Sequence, residues 1–359
     1  MGYMARQFFI QFLMFMGGLL GVIFVFDSVE LMRRLSKYDN LSWDIVLPMA
    51  LFKLPEIGLE IIPFAILFSC VFTLWRMTRS YELIAIRAAG VSVWQFLFAP
   101  VLVSITLGFI NIMVLNPISA VMIGKFEDME ARYISLTPDT TINLSNNGLW
   151  LRQNLPQGMA VIHATNIKTP EWVLSPVTAF FFDQQRNMTF RIDAAKVTLE
   201  DQIWAFEDAY STKIDTNKSE YFTTLHMPTT LTRREIESRF ASPNTISFWN
   251  LPSYARVMSA TGFSSNALWA HYYKLLSEPI LNIALILLAA AIALRSPRYL
   301  KGWWMVISTM MVAFLVFFLG DLLEALGISE RLPLFLSAFA PALISLLAGL
   351  SCLLYLEDG

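Results

Sequence analysis

The chain has 359 residues, of which 56% are hydrophobic and 15% are charged, and its formal net charge is −2 at pH 7. Soluble domains average nearer about 25% charged residues, so this composition excludes a disordered protein and argues against an ordinary soluble enzyme. The near-neutral balance gives no reason to expect nucleic acid as a partner. Two cysteines and three scattered histidines give no basis for a disulfide scaffold or a metal site. The remaining class is an integral membrane protein.

Six apolar segments are long enough to cross a bilayer, which takes roughly 20 mostly apolar residues. No clear small-residue cleavage site follows the first segment, so we interpret it as a retained span and not as a signal peptide. Three spans precede a long polar stretch and three follow it. The predicted spans run from 8 to 26, 57 to 75, 93 to 115, 276 to 294, 303 to 319 and 332 to 356.

The stretch between the third and fourth spans has a different composition. Residues 117–264 hold 13 Lys/Arg and 15 Asp/Glu, which indicates a water-exposed domain inserted between residues 1–116 and residues 265–359. Short strand-like runs alternate there with turn signals, which favours an all-β sandwich or barrel. A polar helix is predicted over Arg233–Phe240. We find no catalytic motif in this domain and predict no catalytic residues.

Lysine and arginine in short loops mark the cytoplasmic side of a membrane protein. Two such loops place both termini inside and the β domain outside. The loop after the first span breaks the rule, because Arg33, Arg34 and Lys37 would lie outside. These three cations are either snorkelling side chains or a functional cluster. The cations of the two inside loops are Arg76, Arg79, Arg87, Arg295, Arg298 and Lys301.

The loop between the second and third spans has the pattern of a short amphipathic helix. Leu83 and Ile86 are three residues apart, Ser80 is placed to cap the N-terminus, and Gly90 suits the C-terminal stop. Two interpretations remain open for this segment. It is either a connector that rests on the membrane surface or a helix that docks into a groove of a soluble partner.

Several segments resemble the LptF/LptG permease family of lipopolysaccharide export. The most specific is Tyr-Glu-Leu-Ile-Ala-Ile-Arg-Ala-Ala-Gly-Val-Ser at 81–92. Asn116-Pro117, Glu278-Pro279 and Arg331-Leu-Pro333 support it, and the resemblance covers nearly the whole chain. The segment at 26–34 is more similar to the LptG branch than to the LptF branch.

The resemblance implies a fold of six transmembrane helices, three plus three, with an inserted periplasmic all-β jellyroll-like domain. It implies a permease subunit in the inner membrane of a Gram-negative bacterium. This subunit would extract lipopolysaccharide and pass it to a periplasmic bridge. The implied partners are a paralogous LptF-type subunit, an LptB-type ABC ATPase dimer, and bridge proteins of the LptC and LptA types.

Site residues follow from the same resemblance. The loop helix would be the coupling helix that engages the ATPase. Arg33, Arg34 and Lys37 would contact lipid phosphates, since guanidinium groups pair with phosphate bidentately and lysine adds a point charge. The aromatic residues Phe24, Phe26 and Phe317 would contact acyl chains. The expected ATPase contacts are Arg79, Tyr81, Glu82, Leu83, Ile86 and Arg87, with Leu83 and Ile86 as apolar anchors.

The sequence itself indicates that ATP hydrolysis for transport would take place on another chain. It contains no G-x-x-x-x-G-K-[ST] segment, because Gly124-Lys125 lacks both the earlier glycine and the following Ser or Thr. We therefore expect no cofactor in this chain, with ATP and magnesium bound by the partner ATPase.

The chain also departs from the family pattern. Family members often carry basic residues in the first span and at the start of the second, where this chain has Asp27, Glu56 and Glu60. These acids, and Asp321 with Glu324, are expected to pair with the neighbouring arginine cluster. Two other functions stay open: a membrane-anchored scaffold whose β domain binds proteins, and a stand-alone secondary transporter.

Overall fold

The protein is described from a computed structural model that divides into two compact units. The helical unit comprises Met1–Tyr133, Ser247–Trp249 and Trp269–Gly359, and the β unit comprises Ile134–Ile246 and Asn250–Leu268. The structure describes residues 2–36, 43–133, 141–145, 148–155, 158–168, 173–185, 187–200, 202–214, 218–229, 242–260, 263–294 and 302–358. Lys37, the predicted helix at 233–240 and the loop cations Arg295, Arg298 and Lys301 lie outside these residues.

Nine α-helices occur among the described residues. They are α1 (Gly2–Leu35), α2 (Trp43–Arg79), α3 (Glu82–Ala88), α4 (Val93–Ile110), α5 (Asn116–Tyr133), α6 (Leu251–Ala260), α7 (Asn266–Leu294), α8 (Gly302–Ile328) and α9 (Leu334–Asp358). A π-helical turn, Asn111–Leu115, joins α4 to α5, and a 3₁₀ turn covers Pro243–Thr245.

Six helical segments of the described chain are long and apolar enough to span a bilayer, which confirms the six predicted spans. The helices extend beyond the apolar cores that the sequence indicates. With 34 residues, α1 is roughly 50 Å long at 1.5 Å per residue, against a hydrocarbon core of about 30 Å. The helical turns beyond the hydrocarbon core contain charged and polar residues, which therefore lie at the two ends of the helices.

The third span ends later than its apolar composition suggests. It runs from Val93 to Glu130 through the π-helical turn, and the division between the two units falls after Tyr133. The predicted boundary at 116 lies inside this continuous helix. The segment after residue 116 has the charged composition of a soluble domain because it contains Lys125, Glu127 and Glu130, although its backbone continues the span.

Residues of seven helices (α1 to α4 and α7 to α9) share the hydrophobic core of the helical unit. Phe8 of α1, Leu74 of α2, Leu97 of α4 and Leu285 of α7 are among its buried members. The approach of α4 to α7 is close, since a Cβ at Gly108 would lie 3.3 Å from Pro279. Gly108 therefore permits the contact that brings these two helices together.

Among the described residues of the β unit, seven antiparallel strands form one sheet, which confirms the inserted β domain. They are β1 (Thr141–Ser145), β2 (Gly148–Leu155), β3 (Gly158–Lys168), β4 (Val173–Phe182), β5 (Met188–Glu200), β6 (Ile203–Lys213) and β7 (Lys218–Pro228). Each strand pairs with the next along the chain, so the described order is that of a meander. Turn spacing alone does not distinguish this order from the Greek-key crossovers of a two-sheet jellyroll.

Alternation along the strands builds the core of the β unit. Leu149 and Leu151 of β2 are buried, whereas Trp150 between them is exposed and packs on His163 of β3 at 4.3 Å between ring centroids. The inward residues of β3 to β6 continue the same layer, and Phe263 joins it after α6. One face of the sheet is therefore apolar and covered.

We predict that Gly158→Ala destabilises the β unit. Gly158 has a φ of +146° where β3 begins, and a Cβ there would overlap the carbonyl oxygen of Phe182. We expect a loss on the order of 2 kcal/mol, seen as a lower Tm in thermal denaturation of the full-length chain followed by circular dichroism. The control is Gly124→Ala, because Gly124 is helical and faces open space. Equal Tm values for the two variants would contradict the prediction.

Candidate functional site

The short helix α3 begins differently from its predicted form. Tyr81 occupies the N-cap position with a φ of 61° and makes no side-chain cap hydrogen bond. The Ser80 hydroxyl instead donates to Glu82 Oε1 at 2.9 Å, and the Met77 carbonyl lies 3.3 Å away as a second acceptor for the same proton. The prediction that Ser80 caps α3 is therefore wrong, because the helix starts one residue later than its sequence pattern suggests.

The end of α3 is fixed by a Schellman motif. The Gly90 N–H donates to the Arg87 carbonyl at 3.0 Å, and the Val91 N–H donates to the Ile86 carbonyl at 3.4 Å. Gly90 has the positive φ of 82° that this motif requires, which confirms its predicted role as the stop. Ser92 and Gln95 then form a capping box at the start of α4. The connection from α3 to the next span is thus a short turn held by backbone and side-chain hydrogen bonds.

The two faces of α3 have different environments. Leu83 is 4% exposed and belongs to the core of the helical unit, and Ile86 packs against the same core. Tyr81 and Ile84 are exposed, Ile84 at 52%, and Ala85 and Ala88 lie on the same outward side. Leu83 thus packs within this chain, and its expected contact with the ATPase stays a prediction. Ile84, which the sequence pattern did not single out, provides the outward apolar surface together with Tyr81.

Glu82 connects α3 to the start of α1. Its Oε2 accepts a hydrogen bond from the Tyr3 hydroxyl at 3.2 Å, while its Oε1 accepts from Ser80. Arg79 lies over the Trp75 ring at 4.8 Å, and Arg87 is exposed. Of the predicted polar contact residues, Glu82 is thus engaged within the chain, whereas Arg87 lies on the outward side.

The arginine cluster lies at the opposite end of α1. Arg33 makes two hydrogen bonds to Glu30, at 2.7 and 2.8 Å, and Arg34 reaches the same carboxylate at 3.1 Å. Arg34 also lies 3.6 Å from Glu130 of α5. Both arginines remain exposed. The structure therefore places Arg33 and Arg34 together, with Glu30 and Glu130 as their counter-charges.

Two of the acids expected to pair with this cluster do not do so. Asp27 Oδ1 is 2.6 Å from Lys53 Nζ of α2, and Glu324 of α8 is 2.6 Å from Lys274 Nζ of α7. The expected pairing of Asp27 and Glu324 with the arginines is wrong, because lysines on neighbouring helices are closer. Each pair joins two different helices of the helical unit.

The three aromatic residues proposed to contact acyl chains have different surroundings. Phe26 is exposed, Phe24 is half-buried, and Phe317 stacks on Phe64 of α2 with ring centroids 3.8 Å apart and an interplanar angle of 9°. Phe26 is therefore open to lipid, whereas Phe317 holds α8 against α2. The structure does not bring these three rings into one cluster.

A polar contact that the sequence analysis missed joins α7 to the third span. The Asn111 amide, buried within the π-helical turn, donates to the Glu278 carboxylate. Asparagine inside an apolar span and glutamate before Pro279 were the available signals, since such residues face other helices and not lipid. Among the described residues, no group of three or more His, Cys, Asp or Glu is placed to hold a metal ion.

We predict different stability effects for two neighbouring residues of α3. Leu83→Ala removes a buried side chain and should cost about 2–5 kcal/mol. Ile84→Ala removes an exposed one and should change the free energy of unfolding by less than about 0.5 kcal/mol. Thermal denaturation of the purified chain in detergent measures both. If Ile84→Ala lowered Tm as much as Leu83→Ala, the assignment of inward and outward faces would be incorrect.

The comparisons with known proteins agree over almost the entire length. The family model for "Lipopolysaccharide export system permease LptF/LptG" matches residues 2–355. The chain is also similar to "Lipopolysaccharide export system permease protein LptG" of Haemophilus influenzae, at 20% identity over 332 residues. That similarity covers 91% of this chain and 90% of the relative. The chain therefore belongs to the LptF/LptG family of lipopolysaccharide export permeases.

Proposed function

We propose that this chain is the LptG-like half of an ATP-driven lipopolysaccharide exporter in the inner membrane. It pairs with an LptF-type subunit over an LptB-type ATPase dimer, and proteins of the LptC and LptA types receive the lipid. One observation supports the proposal most directly: the short helix α3 has one face in the core of the helical unit and a second, apolar face that is exposed. ATP and magnesium bind to the partner ATPase.

The outward face of α3 is the proposed contact with the ATPase. Tyr81, Ile84, Ala85 and Ala88 follow a helical spacing that suits a helix seated in an apolar groove. Because α3 is closed by a Schellman motif and anchored by Leu83, it moves with the bundle and not as a loose loop. Closure of the ATPase would then shift the spans on either side of it.

The charges support an orientation with α3 in the cytoplasm. Arg76, Arg79 and Arg87 cluster at this end, which agrees with the positive-inside rule. The β unit is inserted after the third span, so it would lie in the periplasm. Its covered apolar layer, which includes Leu149 and Phe206, would supply a dry path for acyl chains.

Arg33 and Arg34 are the proposed contacts with lipid phosphates, together with Lys37. Both arginines are exposed, and Glu30 and Glu130 hold their guanidinium groups in place. A phosphate would replace a carboxylate in the same bidentate geometry. Phe26 lies about two helical turns before Arg33 on α1 and is open to an acyl chain, and Phe24 is half-buried. Contact of an acyl chain with the stacked face of Phe317 requires α8 to separate from α2.

We expect Ile84→Asp to reduce co-purification of the ATPase by about tenfold or more. Burial of an isoleucine in a partner groove contributes about 1.5–3 kcal/mol, and a carboxylate there would be desolvated without a partner. The measurement is the ratio of ATPase to tagged chain after gentle detergent extraction from the native membrane. The matched control is Ile203→Asp, because Ile203 is similarly exposed but lies in the β unit.

An unchanged ratio for Ile84→Asp would refute docking through α3. If the unaltered chain co-purifies without an ABC ATPase, the membrane-anchored scaffold becomes the better account of its function.

We expect the double variant Arg33→Gln, Arg34→Gln to weaken lipopolysaccharide binding by about tenfold or more, since charge-assisted hydrogen bonds contribute about 1.5–3 kcal/mol each. The measurement is the amount of lipopolysaccharide retained by the purified complex, quantified by mass spectrometry. Arg191→Gln is the control, because Arg191 is an exposed arginine paired with Asp193 in the β unit. Retention equal to that of the control would remove the phosphate-contact role.

A further inference from the structure

Lys53 lies where three helices meet. Its Nζ is 2.6 Å from Asp27 Oδ1 of α1 and 5.7 Å from the centroid of the Phe126 ring of α5. The side chains of Lys53 and Asp27 are 31% and 15% exposed. Lys53 on α2 therefore contacts both of its neighbours through one partly accessible ammonium group.

The contact between α2 and α5 does not depend on Lys53 alone. Lys125 of α5 lies over the Phe52 ring of α2 at 5.6 Å, which is the reciprocal of the contact between Lys53 and Phe126. Two cation–π contacts thus hold these helices together, and they would keep α5 on α2 if Lys53 changed partner.

Along its middle, α1 packs on α2 through partly buried residues, among them Phe15, whose ring centroid lies 6.1 Å from that of Phe68, and Met16, which faces Gly58. The buried residues of α1 lie in two groups, Met4 to Phe12 and Ser28 to Leu35, and none of residues 13–27 is buried. Within the described chain, two ion pairs join α1 to other helices, and that of Arg34 with Glu130 is longer, at 3.6 Å, and more exposed than that of Asp27 with Lys53. The Asp27–Lys53 pair is therefore the stronger electrostatic attachment of α1.

This pair is also incompletely satisfied. Asp27 Oδ2 is buried and has no hydrogen-bond partner among the described residues, so only one carboxylate oxygen is bonded there. A buried ion pair is stable only when its remaining lone pairs are also bonded, and charges inside a span are costly when unpaired. Another anion can therefore replace Asp27 as the partner of Lys53, because the Lys53 side chain is 31% exposed.

We propose that the Asp27–Lys53 pair is a latch that fastens α1 to α2, and that α1 separates from α2 and α5 when Lys53 leaves Asp27. An anionic lipid headgroup releases the latch by binding the ammonium group of Lys53 in place of the carboxylate. This trigger rests on the proposed function, since it requires a phosphorylated lipid. The latch itself does not, because it follows from the contacts within the chain.

The latch is tested by the distance between α1 and α5 in the full chain within its purified complex. Spin labels are attached at Val29→Cys and Val121→Cys, since both valines are exposed, and distances are measured by double electron–electron resonance. Exposed Cys352 is replaced by serine, while Cys70 is buried and is retained.

We expect a narrow distance distribution with the native pair and a longer, broader one with Asp27→Asn, in the absence of lipid. Lys53→Gln should have the same effect. The charge swap Asp27→Lys, Lys53→Asp should restore the narrow distribution, which separates loss of the pair from general misfolding. Glu324→Gln breaks the comparable pair with Lys274 and should leave the α1–α5 distance unchanged.

Identical distributions for Asp27→Asn and the native pair would overturn the latch. A charge swap that fails to restore what the single variants lose would overturn it as well. Addition of lipopolysaccharide should broaden the native distribution, and lipopolysaccharide with its phosphates removed should not. Broadening with Asp27→Asn but not with lipopolysaccharide would retain the latch and refute the lipid trigger, so the latch and its trigger fail separately.

Discussion

Charged side chains at the ends of the spans pair between neighbouring helices, and this constraint organises the helical unit. An unpaired charge that moved into the hydrocarbon would cost about 2.5–3.5 kcal/mol even by the lower estimates. Asp27 meets Lys53 between α1 and α2, and Lys274 meets Glu324 between α7 and α8. Glu278 accepts from Asn111 and joins α7 to the third span. Each contact fixes which helices are neighbours, which hydrophobic packing alone specifies less sharply in lipid.

The same constraint makes α1 the element that joins the two candidate functional regions. At one end Tyr3 donates to Glu82 of α3, and at the other Asp27 pairs with Lys53 while Arg34 approaches Glu130. Side chains added at Gly17, Gly18 and Gly21 would meet nothing within 4 Å, so one side of the middle of α1 is open. If the proposed ATPase displaces α3, the displacement can reach the arginine cluster through one helix.

The sequence predicts the architecture well, because the architecture depends on the apolar composition of the spans and on the regular spacing of turn residues. Apolar length identifies six spans, and recurrent turn signals identify the β unit. Helix ends are less predictable, since α5 carries Lys125 and Glu130 yet continues the third span. The order of the strands also cannot be predicted from turn spacing, because hairpins and Greek keys use similar turns.

The site is less predictable than the fold because its residues are defined by contacts between helices. Apolar residues occur on both sides of α3, so the pattern alone does not decide whether Leu83 or Ile84 faces the core. The partner of Asp27 lies 26 residues away on another helix, and proximity in sequence favoured the arginines instead. Only the packing of α1 against α2 brings Lys53 nearer.

The most direct measurement is ATP-dependent transfer of lipopolysaccharide from proteoliposomes that contain this chain, its paralogue and the ATPase to a soluble bridge protein. The account predicts transfer that requires ATP hydrolysis and stops when this chain is left out. Transfer that proceeds at the same rate without this chain would contradict the account, and so would a fully assembled complex that transfers no lipopolysaccharide in the presence of ATP.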